Sequence, residues 1–166
     1  MPDVLRTTAD SFRPIDVKMG TDGALYVADW SNPIIQHGEV DFRDPRRDKE
    51  HGRVWRVAAK GRPSLPRLDF TTLKNPALLD KLASPNHYEV ESARRVLVER
   101  GAEKVLKDLN NWTRKQVAES ARLQALWMYQ AFNLPQPDLL NQLLAARDPH
   151  IRAAATRVLS RWSTPG

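Results

Sequence analysis

The sequence predicts a segregated α+β chain, with a small antiparallel β-meander first and an α-helical repeat array after it. Three observations carry this prediction. Apolar and polar residues alternate with a period of two in the first part of the chain. The pair Asp22-Gly23 stands between two such runs. Beyond residue 72, apolar residues recur at helical spacing. The change falls across GRPSLPRLDFTT, residues 61–72, so the expected division is a sheet region 1–62, a linker 63–74 and a helical region 75–166.

Ile15-Asp16-Val17-Lys18-Met19 alternates apolar and polar side chains, the pattern of a half-buried strand. Gly20-Thr21-Asp22-Gly23 follows and reads as a hairpin turn in which both Asp22 and Gly23 tolerate positive φ. Ala24 to Trp30 is rich in β-formers, and a third strand is expected at Arg53–Ala58, after a long polar loop over 31–52. Three such strands form a meander, which alone has two open edges and an uncovered face.

In the second half, Asn75-Pro76 and Asp148-Pro149 each read as an N-cap followed by proline at the first helical position. Leu78, Leu79 and Leu82 share one face of a short helix, which Ser84-Pro85-Asn86 breaks. Val90, Ala93, Val96 and Leu97 belong to a second helix that ends before Gly101. Val105, Leu106 and Leu109 suggest one or two further turns. Val117, Ala121, Ala125, Leu126 and Tyr129 follow, then Leu139, Leu140, Leu143 and Leu144. The last helix offers Ile151, Ala154, Ala155, Val158, Leu159 and Trp162. Small residues around Ala93, Ala121 and Ala154 recur at roughly 30-residue spacing, which makes the array HEAT-like.

Composition narrows the function classes. The 166 residues carry a net charge of +6, with 41% hydrophobic and 28% charged residues, which suits a folded chain with a modest core. Cysteine is absent, which excludes disulfides, thiolate metal sites and a C-x-x-C-H haem attachment within this sequence. Residues 1–70 hold 12 basic and 11 acidic residues, whereas residues 71–166 hold 14 and 9. The excess in the helical half is scattered singly, as on a solvated face. No apolar run approaches the ~20 residues of a membrane span. The first twenty residues hold no signal-peptide h-region; an export signal has room upstream only if Met1 is not the original start.

The runs SFRPIDVKMGTDGALYVADW and NPIIQHGEVDFRDPRRDKEHGRVWRV resemble the last propeller blade of the membrane-bound dehydrogenases of the planctomycete–verrucomicrobial group. These are related to soluble glucose/sorbosone dehydrogenases. The resemblance covers about residues 10–62, and its specific part is the string from Asn32 to Val57. It implies a quinoprotein-type β-propeller followed by HEAT-like repeats and often a C-terminal haem c domain. It further implies a periplasmic or membrane-associated protein that oxidises a sugar or alcohol, with upstream blades as partners of this segment. A quinone cofactor and haem c are implied for an intact family member, and none is assigned to this chain. A fragment with one blade and no haem motif is expected to be inactive by itself.

A meander places successive connections at opposite ends of the sheet. The 31–52 loop therefore shares an end with Phe12-Arg13-Pro14, where propellers commonly build ligand sites. The ligand-rim candidates are Arg13, Asp29, His37, Asp41, Arg43, Asp44, Arg46, Arg47, Asp48, His51 and Arg53, with Glu39 and Glu50 alongside. Histidine with carboxylates is a divalent-metal donor set, and His51 beside an acid is a candidate general base. Arginines bind carboxylate, phosphate or quinone oxygens bidentately. The preferred alternative is that Asp44-Pro45-Arg46-Arg47-Asp48 ties a long loop together by salt bridges. No catalytic or metal-ligating residue is therefore assigned.

Asp29 is expected to bond loop amides, with Trp30 and Trp55 packing between blades and Trp112, Trp127 and Trp162 in the helical core. No phosphate loop, nucleophile elbow or H-E-x-x-H motif occurs. A protein partner bound through the helical array is the alternative function. A basic nucleic-acid binder is a weaker third reading, because no basic stripe interleaves the tryptophans.

Overall fold

The computed structural model describes residues 3–34 and 40–163. The chain divides into two compact units, residues 1–67 and 68–166.

The first unit is a three-stranded antiparallel sheet in the order β1-β2-β3, with β1 at Pro14–Met19, β2 at Leu25–Asp29 and β3 at Arg53–Val57. Val17 pairs with Val27 and Val27 with Trp55, while Leu25 lies between Met19 and Val57. These residues share one face of the sheet. The register slips between Pro14 and Asp16, which places a bulge at the start of β1. Every residue of β1 is exposed, so the expected half-burial does not hold for this strand. Its alternation is real, but within the described residues nothing covers its apolar side.

The β1–β2 turn differs from the expected pattern. Only Gly23 has positive φ, at 76°, and Asp22 does not share it. Five residues separate the paired Met19 and Leu25, and Gly23 N–H donates to the Gly20 carbonyl at 3.2 Å. A type I turn closed by a left-handed glycine needs just one such residue. The Asp22 carboxylate accepts from Ala24 N–H at 3.1 Å and from the Arg56 guanidinium at 2.7 Å. Leu65 N–H returns to the Asp22 carbonyl at 3.0 Å, so residues just beyond the sheet are bonded to this turn.

The second unit opens with a short 3₁₀ turn, Phe70–Thr72, and continues with six helices: α1 Asn75–Lys81, α2 His87–Arg100, α3 Ala102–Lys115, α4 Glu119–Ala131, α5 Pro137–Leu144 and α6 Pro149–Ser163. Asn86 caps α2 by accepting from Tyr88 N–H at 3.1 Å, and Asp148 does the same for His150 at 2.8 Å. Asn75 does not cap α1. Lys74 holds that position, and the Asn75 amide instead donates to the Lys104 carbonyl at 2.7 Å and to Asp108 at 3.1 Å. Arg100 completes the tie between α2 and the start of the unit, donating to Asn75 and to the Thr71 and Leu73 carbonyls.

Helix α3 runs for 14 residues, longer than the expected turn or two, because Val105, Leu109 and Trp112 continue its buried stripe. Val117 does not belong to α4. It precedes the helix and is 86% exposed, because the backbone is already extended at Gln116.

Two apolar clusters fill the unit. The first joins Leu78 and Leu79 with Ala93, Leu97, Leu109, Trp112, Ala125 and Met128. The second joins Leu123 and Leu126 with Leu140, Leu143, Ile151, Ala155 and Val158. Helix α4 serves both, and its apolar positions therefore extend around most of its circumference. Alanines are fully buried on α2 (Ala93), α4 (Ala125) and α6 (Ala155). Having no side chain beyond Cβ, they let neighbouring helices approach closely. No helix among the described residues is long and apolar enough to cross a membrane.

Candidate functional site

The loop end of the sheet is built around Asp29. Its side chain is fully buried at the end of β2 and accepts three hydrogen bonds, from Arg13 N–H at 2.8 Å, Ser31 N–H at 2.9 Å and the Trp55 indole at 2.9 Å. The Arg53 guanidinium lies 3.7 Å away. Burial pushes the Asp29 carboxyl upward, but these donors and the Arg53 charge outweigh it and hold the group below its ordinary value. The stability that depends on this shift is complete above the ordinary carboxylate value. It is lost as pH falls through the lower folded value.

Ser31 adopts a left-handed backbone, φ 55°, which turns its N–H back onto Asp29. Its hydroxyl accepts from Arg53, which also donates to Ser11 at 2.8 Å. Arg53 also lies 5.7 Å from the Trp55 ring centroid. One network thus joins the segment before β1, the exit of β2 and the start of β3. Arg13 sits beside it, donating to the Phe12 and Pro33 carbonyls, while its Nε is buried without a partner.

Farther along the loop, each aspartate organises its own turn. Asp41 accepts from Arg43 N–H at 2.8 Å. Asp44 accepts from Arg46 N–H at 2.9 Å and also binds its guanidinium through both carboxylate oxygens. Asp48 accepts from the Glu50 and His51 amides, and His51 Nδ1 lies 3.0 Å from the same carboxylate. Arg47 is buried and spends its guanidinium on the Val40 and Asp41 carbonyls, above the Phe42 ring. Asn32, also buried, accepts from Ile34 N–H.

The Arg46 hydrogen bonds and charge hold Asp44 at about 2. In a pH titration followed by carboxyl carbon NMR, Asp44 is expected to titrate near that value. Arg46→Gln should move it back toward 3.8. An unchanged Asp44 midpoint in the variant would refute this assignment of cause.

The structure therefore brings Arg13, Asp29 and Arg53 together and pairs Asp44 with Arg46 and Asp48 with His51. It leaves the exposed Arg43 guanidinium without a partner among the described residues. His37 and Glu39 lie outside the described residues. Among the described residues, no group of three His, Asp or Glu side chains is placed to hold a metal ion. The sequence reading missed Ser11, Ser31 and Asn32. The signal for Ser31 and Asn32 was their place directly after Asp29-Trp30 at a strand end, where short polar side chains turn the chain.

Residues 2–61 match a domain of unknown function, DUF7133. The match falls within the sheet unit and takes in the whole Asp29 network. No curated protein and no solved structure matches the chain.

Proposed function

We propose that the DUF7133 segment is one blade of a β-propeller in a periplasmic or membrane-associated, quinoprotein-like dehydrogenase, and that the helices form a HEAT-like spacer. The supporting observation is the apolar face of the sheet. Val17, Met19 and Trp55 are 52%, 40% and 41% exposed on one face, and Ile15 on the same strand is 70% exposed. A face of this kind is suited to packing against a neighbouring sheet. The HEAT-like reading is supported by the helix neighbours: α1 packs on α2 and α3, α2 on α4, and α4 on α6, so alternate helices stack.

Among the described residues, the rim arginines other than Arg43 are not free to bind a quinone. The sequence has no cysteine for haem attachment. Arg13, Arg46, Arg47 and Arg53 are engaged by carbonyls, hydroxyls and carboxylates of the chain itself. On this reading the oxidation chemistry belongs to other parts of an intact protein. The contribution of this chain is a rim whose described arginines, Arg43 apart, are bonded within the chain, and a packing face.

The purified chain is expected to bind a hydrophobic dye and self-associate, with both effects reduced by Val17→Ser combined with Met19→Ser. Reading the coding frame upstream of Met1 supplies the second arm, with further D-G-x-L-Y-V-type blades expected there. A monodisperse chain that ignores the dye, with no upstream blades in frame, would remove the proposal.

A further inference from the structure

A cleft of about 570 Å³ opens between α4 and α6, lined by Trp127, Ala131, Ala154, Val158, Arg157 and Arg161 among others. Its volume is in the range of pockets that hold ligands. Its chemistry is lopsided: an aromatic and aliphatic lining carries two guanidinium groups and no carboxylate. The ion pairs of Lys81 with Glu89, Arg94 with Glu91 and Arg95 with Glu99 lie on α1 and α2. Helix α6 carries three arginines and no acidic residue, so nothing on it offsets Arg157 and Arg161. Trp127 is only partly buried, and a third guanidinium, that of Arg94, lies 5.4 Å from its ring centroid. Arg94 also donates to Glu91 and Gln124, while its Nε is buried without a partner.

We infer that this cleft is a docking site for an extended acidic segment of a partner protein. The argument is charge and spacing together. Arg157 and Arg161 stand one helical turn apart, about 5–6 Å. In an extended chain, alternate side chains point to the same side and lie about 6.5–7 Å apart. Acidic residues at alternate positions therefore meet the two arginines in order. An apolar residue at the next alternate position points to the same side and covers Trp127 and Val158. Nucleic acid suits the site less well, because one tryptophan offers no run of stacking platforms. The inference stands on the helical unit alone and is independent of the propeller reading.

The test is fluorescence anisotropy with the full chain and three labelled probes. The first is a peptide with two glutamates at alternate positions and a leucine at the next alternate position, the second its glutamine counterpart, and the third a single-stranded oligonucleotide. The glutamate peptide is expected to bind best and to weaken as salt rises. Arg157→Gln combined with Arg161→Gln should weaken it by roughly tenfold, the scale of two partly exposed charge pairs. Arg95→Gln, which removes the same kind of charge from α2, should leave binding unchanged. Both arginines are exposed, so unaltered thermal unfolding of the double variant separates lost binding from lost fold. Equal binding of the glutamine peptide, indifference to the double variant, tighter oligonucleotide binding or no peptide binding at all would each overturn the inference.

Discussion

Asp29→Ala is expected to unfold the sheet unit while the six helices stay folded. The substitution leaves the Trp55 indole and the Arg13 and Ser31 amides without their acceptor, and deprives Arg53 of its nearest carboxylate. Three donors left without their acceptor, one buried and two part-buried, together cost about 3 kcal/mol or more. A unit this small has about that much stability in total. Asp29→Asn should fall between the two, since its amide keeps the shape but places a donor against donors. Hydrogen exchange reads the result directly: amides of β1, β2 and β3 should lose protection, and those of α1–α6 should keep theirs. Protection in β2 within about 0.5 kcal/mol of the unaltered chain would mean that the network is ornamental.

Leu126→Ala is the second large effect, at about 3 kcal/mol or more. Its side chain is fully buried in the cluster shared by α4, α5 and α6, and truncation leaves a cavity as well as lost apolar burial. Because α4 also supplies Ala125 and Met128 to the other cluster, the damage should not stay at one end. Denaturant unfolding of the helical unit should shift to a lower midpoint in a single transition seen by all helices. Separate transitions for α1–α3 and α5–α6 would show that α4 does not couple the clusters.

The segregation of strands from helices was legible because each class writes a different period into the sequence. The helix start at Asp148 was legible for a local reason, since the cap and its amide lie two residues apart, whereas the same reading of Asn75 fell one residue past the true cap, Lys74. Helix α3 was harder to read. Its lysines, aspartate and asparagines dilute the signal, and only the spacing of Val105, Leu109 and Trp112 carries it to Lys115. Val117 misled because it sits one turn before Ala121 and fits the helical period, and the extended backbone at Gln116 leaves no local mark that outweighs that fit.

The candidate site divides along the same line. The turns at Asp41, Asp44 and Asp48 are short-range and follow from aspartate placed two or three residues before an arginine or histidine. The Asp29 network spans 26 residues to Trp55, and Arg53 reaches 42 residues to Ser11. Which side chains meet there depends on strand register, and alternation alone does not fix register between strands joined by a long loop.

Gly101 is the sole residue between α2 and α3, and its φ of 83° turns the chain without any intervening loop. A Cβ there would meet nothing within 4 Å, so backbone angle rather than crowding reserves the position for glycine. The joint also sets the rotational phase of α3. One residue more or less would rotate that helix by about 100° about its axis, carrying Val105, Leu109 and Trp112 off the core. At longer connections such as residues 132–136, slack can absorb a change of length. At this corner the fold depends on the number of residues as strictly as the core depends on their identity.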